Sequence, residues 1–198
     1  MKRIISLVLA FIMCFPFLGC SLTQNASEDV ISEASATVEM VTINVPSTEI
    51  LVFNNSDAQA YIDVITRICT VESAVVNTDG SVTFTLTSEN CQLVIDDIAV
   101  GTIIVFENIT NMEESLISAT PSDDYTAITV IVDESTYDLR EQSISMFLLG
   151  AQCLYSQVWL GVEEPVVFIS VVSQDQEFIH ELSMDYQTVE EIYAILTQ

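Results

Sequence analysis

Asn77-Thr78-Asp79-Gly80-Ser81-Val82-Thr83-Phe84-Thr85-Leu86-Thr87 is the stretch that decides the fold. Asp79-Gly80 suits the positive φ angles of a tight hairpin turn. After the turn, Val82, Phe84 and Leu86 alternate strictly with Thr83, Thr85 and Thr87. That period of two describes a strand with one face in a core and one face in water. A hairpin alone is marginal and needs a further strand or a helix against its apolar face.

Working outward, the pattern of a helix followed by a hairpin occurs three times, over 56–87, 89–133 and 137–183. Val41, Ile43 and Val45 form a preceding strand that Pro46 stops. Ser56-Asp57-Ala58-Gln59 reads as a capping box opening a helix. Ala58, Tyr61, Ile62, Ile65 and Ile68 then fall on one helical face. A second helix is predicted from Glu89 to about Phe106, with Gly101 and many β-branched residues inside it. Strands are predicted at Leu116–Ala119 and Thr126–Asp133, joined by a turn at Pro121-Ser122-Asp123-Asp124. Ser135-Thr136-Tyr137-Asp138 is expected to cap a long helix that ends near Gly161. That helix is apolar on nearly every side, yet Gln142, Ser145, Gln152, Ser156 and Gln157 interrupt it, so it reads as a buried core helix. Strands at Val166–Val172 and Phe178–Leu182 and a helix at Thr188–Leu196 complete the chain. The fold class is α+β: an antiparallel sheet built from hairpins, helices packed on one face, and a long central helix 137–161.

Residues 1–20 carry a different message. Lys2-Arg3, the apolar run from Ile4 to Phe17 and the small residue before Cys20 form a secretory signal. The run is shorter than the roughly 20 residues a membrane span needs, and Pro16 interrupts it. Phe17-Leu18-Gly19-Cys20 resembles the lipobox of bacterial lipoproteins, which implies cleavage before Cys20 and a palmitate-type lipid on its sulfur. The chain divides into a signal peptide (1–19), a lipid-anchored flexible tether (20–37) and a single α+β domain (38–198). The tether, Ser21 to Thr37, has no aromatic residue and no apolar period. As a coil it would hold the domain roughly 20–25 Å from the lipid.

All 29 acidic residues follow Cys20, where Arg67 and Arg140 are the sole lysine or arginine residues. Such a surface repels nucleic acid and anionic headgroups, both of which are bound through Lys and Arg. The expected contacts are therefore the membrane, through the lipid on Cys20, and a protein partner, with no nucleic acid. Cys69, Cys91 and Cys153 also follow Cys20, and an odd number leaves at least one thiol unpaired. A Cys69–Cys91 bridge is conceivable between the ends of two predicted helices. Cys153, among Leu149, Leu154 and Trp159, reads as a small buried hydrophobe.

Three features together resemble a family of uncharacterised lipoproteins of gut Firmicutes. They are Asn77-Thr78-Asp79-Gly80-Ser81-Val82-Thr83, Asp123-Asp124-Tyr125-Thr126, and the long apolar helix with Gly150 and Tyr155. The resemblance covers most of 38–183 and implies an architecture and an extracytoplasmic, membrane-anchored address, with no activity attached.

Chemistry is sparse in the rest of the sequence. His180 alternates with Phe178 and Leu182 and is the single histidine available as a base. Asp96-Asp97, Glu113-Glu114, Asp123-Asp124 and Glu163-Glu164 are adjacent pairs, which point apart on a strand or helix and read as solvated surface. No D-x-D-x-D-G calcium loop or glycine-rich phosphate loop is present. Tyr186, Val189, Ile192, Tyr193 and Leu196 form an apolar stripe, expected to pack on the sheet or to dock a partner. No catalytic, cofactor-binding or metal-binding residue is assigned, and Cys20 is the one site, for lipidation. The expected function is a non-enzymatic cell-surface binding or interaction module. The alternative is a small extracellular hydrolase using His180.

Overall fold

The computed structural model describes residues 38–54 and 57–196. The signal, Cys20, the tether and Ser56 lie outside the described residues. The strands are β1 (Met40–Val45), β2 (Ser73–Val76), β3 (Val82–Thr87), β4 (Leu116–Pro121), β5 (Ala127–Val132), β6 (Val166–Ser173) and β7 (Phe178–Asp185). The helices are α1 (Ser47–Asn54), α2 (Ala58–Ile68), α3 (Ser88–Met112), α4 (Ser143–Trp159) and α5 (Tyr186–Leu196). The class is α+β, as the alternation of elements implied.

The hairpin that anchored the sequence reading forms as β2–β3, with Val76 opposite Val82. Gly80 sits at φ +85°, where a Cβ is strained, and Asp79 holds the turn by accepting from the Ser81 N–H at 3.0 Å. Val82, Phe84 and Leu86 are fully buried, and β1 pairs antiparallel along the other side of β3. This gives a three-stranded sheet of order β1-β3-β2.

The remaining strands form a second sheet of order β4-β5-β6-β7, so the single antiparallel sheet of the sequence reading is corrected to two. Within the hairpins β4–β5 and β6–β7 the pairing is antiparallel, but β5 and β6 are parallel. Alternation specifies a strand's faces but not its neighbours. Between β5 and β6 the chain crosses through α4, and a helical crossover returns it in the same direction.

α4 also starts later than the sequence suggested. Asp133 accepts from Ser135 at 2.9 Å and Asp138 accepts from the Arg140 N–H at 2.8 Å, so these residues close turns instead of capping the helix. Such side chains bond local backbone equally well in turns and caps. The helix begins at Ser143 behind Gln142, whose side chain accepts from the Asp138 N–H. α1 was not legible in the sequence, because Ile50-Leu51-Val52-Phe53 is apolar without a period. There Pro46 ends β1 and its carbonyl accepts from Glu49 N–H in the first turn of α1.

α4 joins two cores. Met146, Phe147, Leu149, Cys153 and Leu154 pack with Val130, Ile169 and Val171 of the four-stranded sheet. Val158 and Trp159 at its end enter the core of the three-stranded sheet with Phe84 and Leu86. At Gly150 the helix presses on the sheet so closely that a Cβ would lie 2.7 Å from Met184 Sδ. α3 lies beside α4 through a buried polar clasp. Gln152 donates to Thr102 Oγ1 at 3.0 Å, and Thr102 meets Ser156 at 3.2 Å. Each of these hydroxyls also donates to the carbonyl one turn earlier in its own helix, so the clasp leaves no hydroxyl proton unbonded.

Candidate functional site

The residues singled out in the sequence are not gathered into one centre. His180 lies on β7 opposite Val171, and its ring stacks on Tyr137 with centroids 5.7 Å apart. Its Nε2 and the Tyr137 hydroxyl are 3.1 Å apart. Partial burial lowers the imidazole pKa and pushes Tyr137 up to about 12, so both are neutral near pH 7. A neutral imidazole bonded to a phenol lacks the nucleophile and orienting acid of a hydrolytic triad.

The paired carboxylates go separate ways. Asp96 accepts from Gln92, Glu113 accepts from Ser145 at 2.7 Å, and Asp124 closes the β4–β5 turn by accepting from Ser122 and Thr126. Among the described residues no group of three or more His, Cys, Asp or Glu could hold a metal ion. Cys69, Cys91 and Cys153 are free thiols, and burial pushes Cys153 up to about 12, which leaves it protonated and inert.

Two places stand out that the sequence did not announce. One is Glu49 on α1, 1% exposed at the junction of the two cores. Tyr61 of α2 and Tyr186 of α5 each donate to its carboxyl at 2.8 Å, and the Trp159 indole donates to Tyr61 at 3.2 Å. Burial pushes Glu49 up to about 8, against the lowering effect of the two phenols. The acid is therefore protonated at neutral pH. Thr48 beside it donates to Glu190, so α5 is fastened to α1 at two points. The apolar stripe of the C-terminal helix thereby packs inward: Val189 is buried, and Tyr186, Ile192 and Tyr193 lie against the larger core. With both carboxyl oxygens held by phenols from neighbouring helices, the Glu49 cluster is built as a pin. An acid embedded in an apolar run was the available signal for it.

The other place is an open groove of about 490 Å³ between α3 and β4. Ile103, Phe106, Glu107, Thr110 and Asn111 line it from the helix, and every residue from Ile117 to Pro121 lines it from the strand. Its volume falls within the roughly 300–1,000 Å³ of ligand sites. Ile103 is 59% exposed and Ile117 43% exposed. The groove exists because β4 follows α3 after a short connection and runs back along it, while among the described residues β4 has no strand neighbour on its outer side. Neither feature is visible from the sequence alone. No helix of the described residues is long and apolar enough to cross a membrane. Comparison with known proteins finds no matching family model, no similar curated protein and no similar solved structure.

Proposed function

We propose that the chain is an exported lipoprotein, cleaved before Cys20 and acylated on the Cys20 sulfur, whose α+β domain is a non-enzymatic binding module at the outer face of the membrane. The observation that carries this reading is the sequence Leu18-Gly19-Cys20 behind a basic start and a short apolar run. The spacing of the parts supports it. The first strand begins at Met40, about 20 residues after Cys20, which leaves a tether with roughly 20–25 Å of average reach. The charge supports it as well: without a basic face to adhere to anionic lipid, retention at the membrane falls to the acyl chains. The resemblance to a family of lipoproteins belongs to the same proposal. The groove between α3 and β4, of ligand-site size, offers the module a surface for such contact.

Mass spectrometry of the membrane fraction tests the anchor. The expected result is a mature N-terminus at Cys20 carrying acyl mass, and Cys20→Ala should leave an uncleaved, unacylated chain. Recovery of a soluble protein that begins elsewhere would overturn it.

A further inference from the structure

We propose that the outer edge of β4, together with the groove beside it, receives an extended segment of another protein as an added strand, and that this segment is apolar and basic. The proposal deepens the binding-module reading above and rests on it.

The groove follows the edge of the strand and not one of its faces. Successive side chains of a strand point to opposite faces. A groove lined by all five residues from Ile117 to Pro121 must therefore lie along the strand's side. Among the described residues no strand pairs with that side. Ser122 donates its N–H to the Ala127 carbonyl at 2.8 Å, which fixes the phase of the antiparallel ladder. Counting back from there, Thr120 opposite Thr129 falls in the hydrogen-bonded phase of the ladder, as does Ser118 opposite Ile131 just after the register shift between Leu116 and Ser118. Pro121 opposite Ile128 and Ala119 opposite Val130 are the alternate pairs, whose backbone groups turn outward. Pro121 accordingly sits where no ladder N–H is required. Ala119 presents both an N–H and a carbonyl to the groove.

The chemistry of the occupant follows from what surrounds the edge. Ile103 and Ile117 offer apolar contact on either side. Glu107 projects into the groove, Glu113 and Glu114 precede β4, and Asp123 and Asp124 follow it. Among the described residues the sole cations on lysine or arginine are Arg67 and Arg140, on α2 and ahead of α4, and neither lines the groove. Alternating apolar and basic residues in an extended segment would meet isoleucine and carboxylate in turn, with main-chain bonds supplying register. A second copy of this chain would bring the same acidic charge to the edge, so like-charge repulsion opposes self-pairing.

The test uses the full chain and a labelled octapeptide of alternating Val and Lys, read by fluorescence anisotropy. Binding is expected to weaken at least tenfold when Glu replaces Lys in the peptide. A similar loss is expected when alternate peptide nitrogens are methylated, which removes main-chain donors while the protein stays unaltered. Glu107→Lys and Ala119→Pro should each cost a similar factor, the latter without breaking a β4–β5 bond. The proposal is overturned if the Val–Lys peptide fails to bind at about 1 mM, a concentration that would reveal even a contact of about 4 kcal/mol. It is overturned equally if the Val–Glu or methylated peptide binds as well, or if the chain dimerises in a way that Ala119→Pro abolishes. Any of these results with acylated Cys20 intact strikes this inference alone. Loss of the acyl group with peptide binding intact strikes the anchoring reading alone.

Discussion

Around Glu49 a carboxyl is enclosed by phenols from two other helices, whereas along β4 two exposed isoleucines flank a strand edge that no strand of the described residues pairs with. Both depart from the usual partition of polar groups outward and apolar groups inward, in opposite senses. At the junction the departure is met from within: Tyr61 and Tyr186 donate to the carboxyl oxygens, and Trp159 donates to Tyr61. At the groove the side chains of Ile103 and Ile117 stay exposed, and among the described residues no strand pairs with the outward backbone groups of Ala119. A satisfied buried polar group specifies the fold, while an unsatisfied apolar edge invites another molecule.

The pH dependence of stability is the largest effect with which to break this contrast. Glu49 holds its proton to about pH 8 in the fold, but an unfolded chain releases it near 4.5. The folded state therefore binds more protons between those values. Stability from this group is complete below about pH 4.5 and is lost as pH rises toward 8, by about 5 kcal/mol at most. Asp79, Asp124, Asp133 and Asp185, whose pKa values are lowered by hydrogen bonds to their turns or cap, act in the opposite sense and at more acid pH. Tyr61, Tyr155 and Tyr186 face Glu49 and are held above their usual values by burial, so they stay neutral through the window. Urea unfolding at pH 5 and pH 8.5 should show the decline, and Glu49→Gln should flatten it. A parent protein equally stable at both pH values, matching the variant, would mean that Glu49 is hydrated.

A smaller effect tests the fastening of α5. Tyr186→Phe removes one donor to the buried carboxyl and should cost about 1–3 kcal/mol at pH 7. Because that donation lowers the Glu49 pKa, the variant should also move the acid's ionisation to higher pH. Unchanged stability and an unchanged pH profile would show that the phenol does not reach Glu49.

The smallest effect belongs to the groove. Ile103→Ala removes an exposed side chain and should leave stability within about 0.5 kcal/mol of the parent while weakening the Val–Lys peptide. A loss of several kcal/mol would instead place Ile103 in the core and close the groove.

Local chemistry made much of this molecule readable in advance. Asp79-Gly80 and the alternation of Val82, Phe84 and Leu86 specify a hairpin and its buried face, because turn φ angles and strand period are properties of neighbouring residues. The apolar surround of α4 likewise required burial, and the stripe of Tyr186, Val189 and Ile192 required something to cover it. The address proposed from residues 1–20 likewise rests on consecutive residues alone. Tertiary structure decided the rest. It divided the strands between two sheets and made β5 and β6 parallel, since pairing between hairpins depends on how the intervening helix crosses. It brought Glu49, Tyr61, Trp159 and Tyr186 together from four helices. It also put β4 at the edge of its sheet beside α3, with no strand of the described residues on its outer side. Burial and edge position are relations between segments distant in the chain, and no period within one segment encodes them.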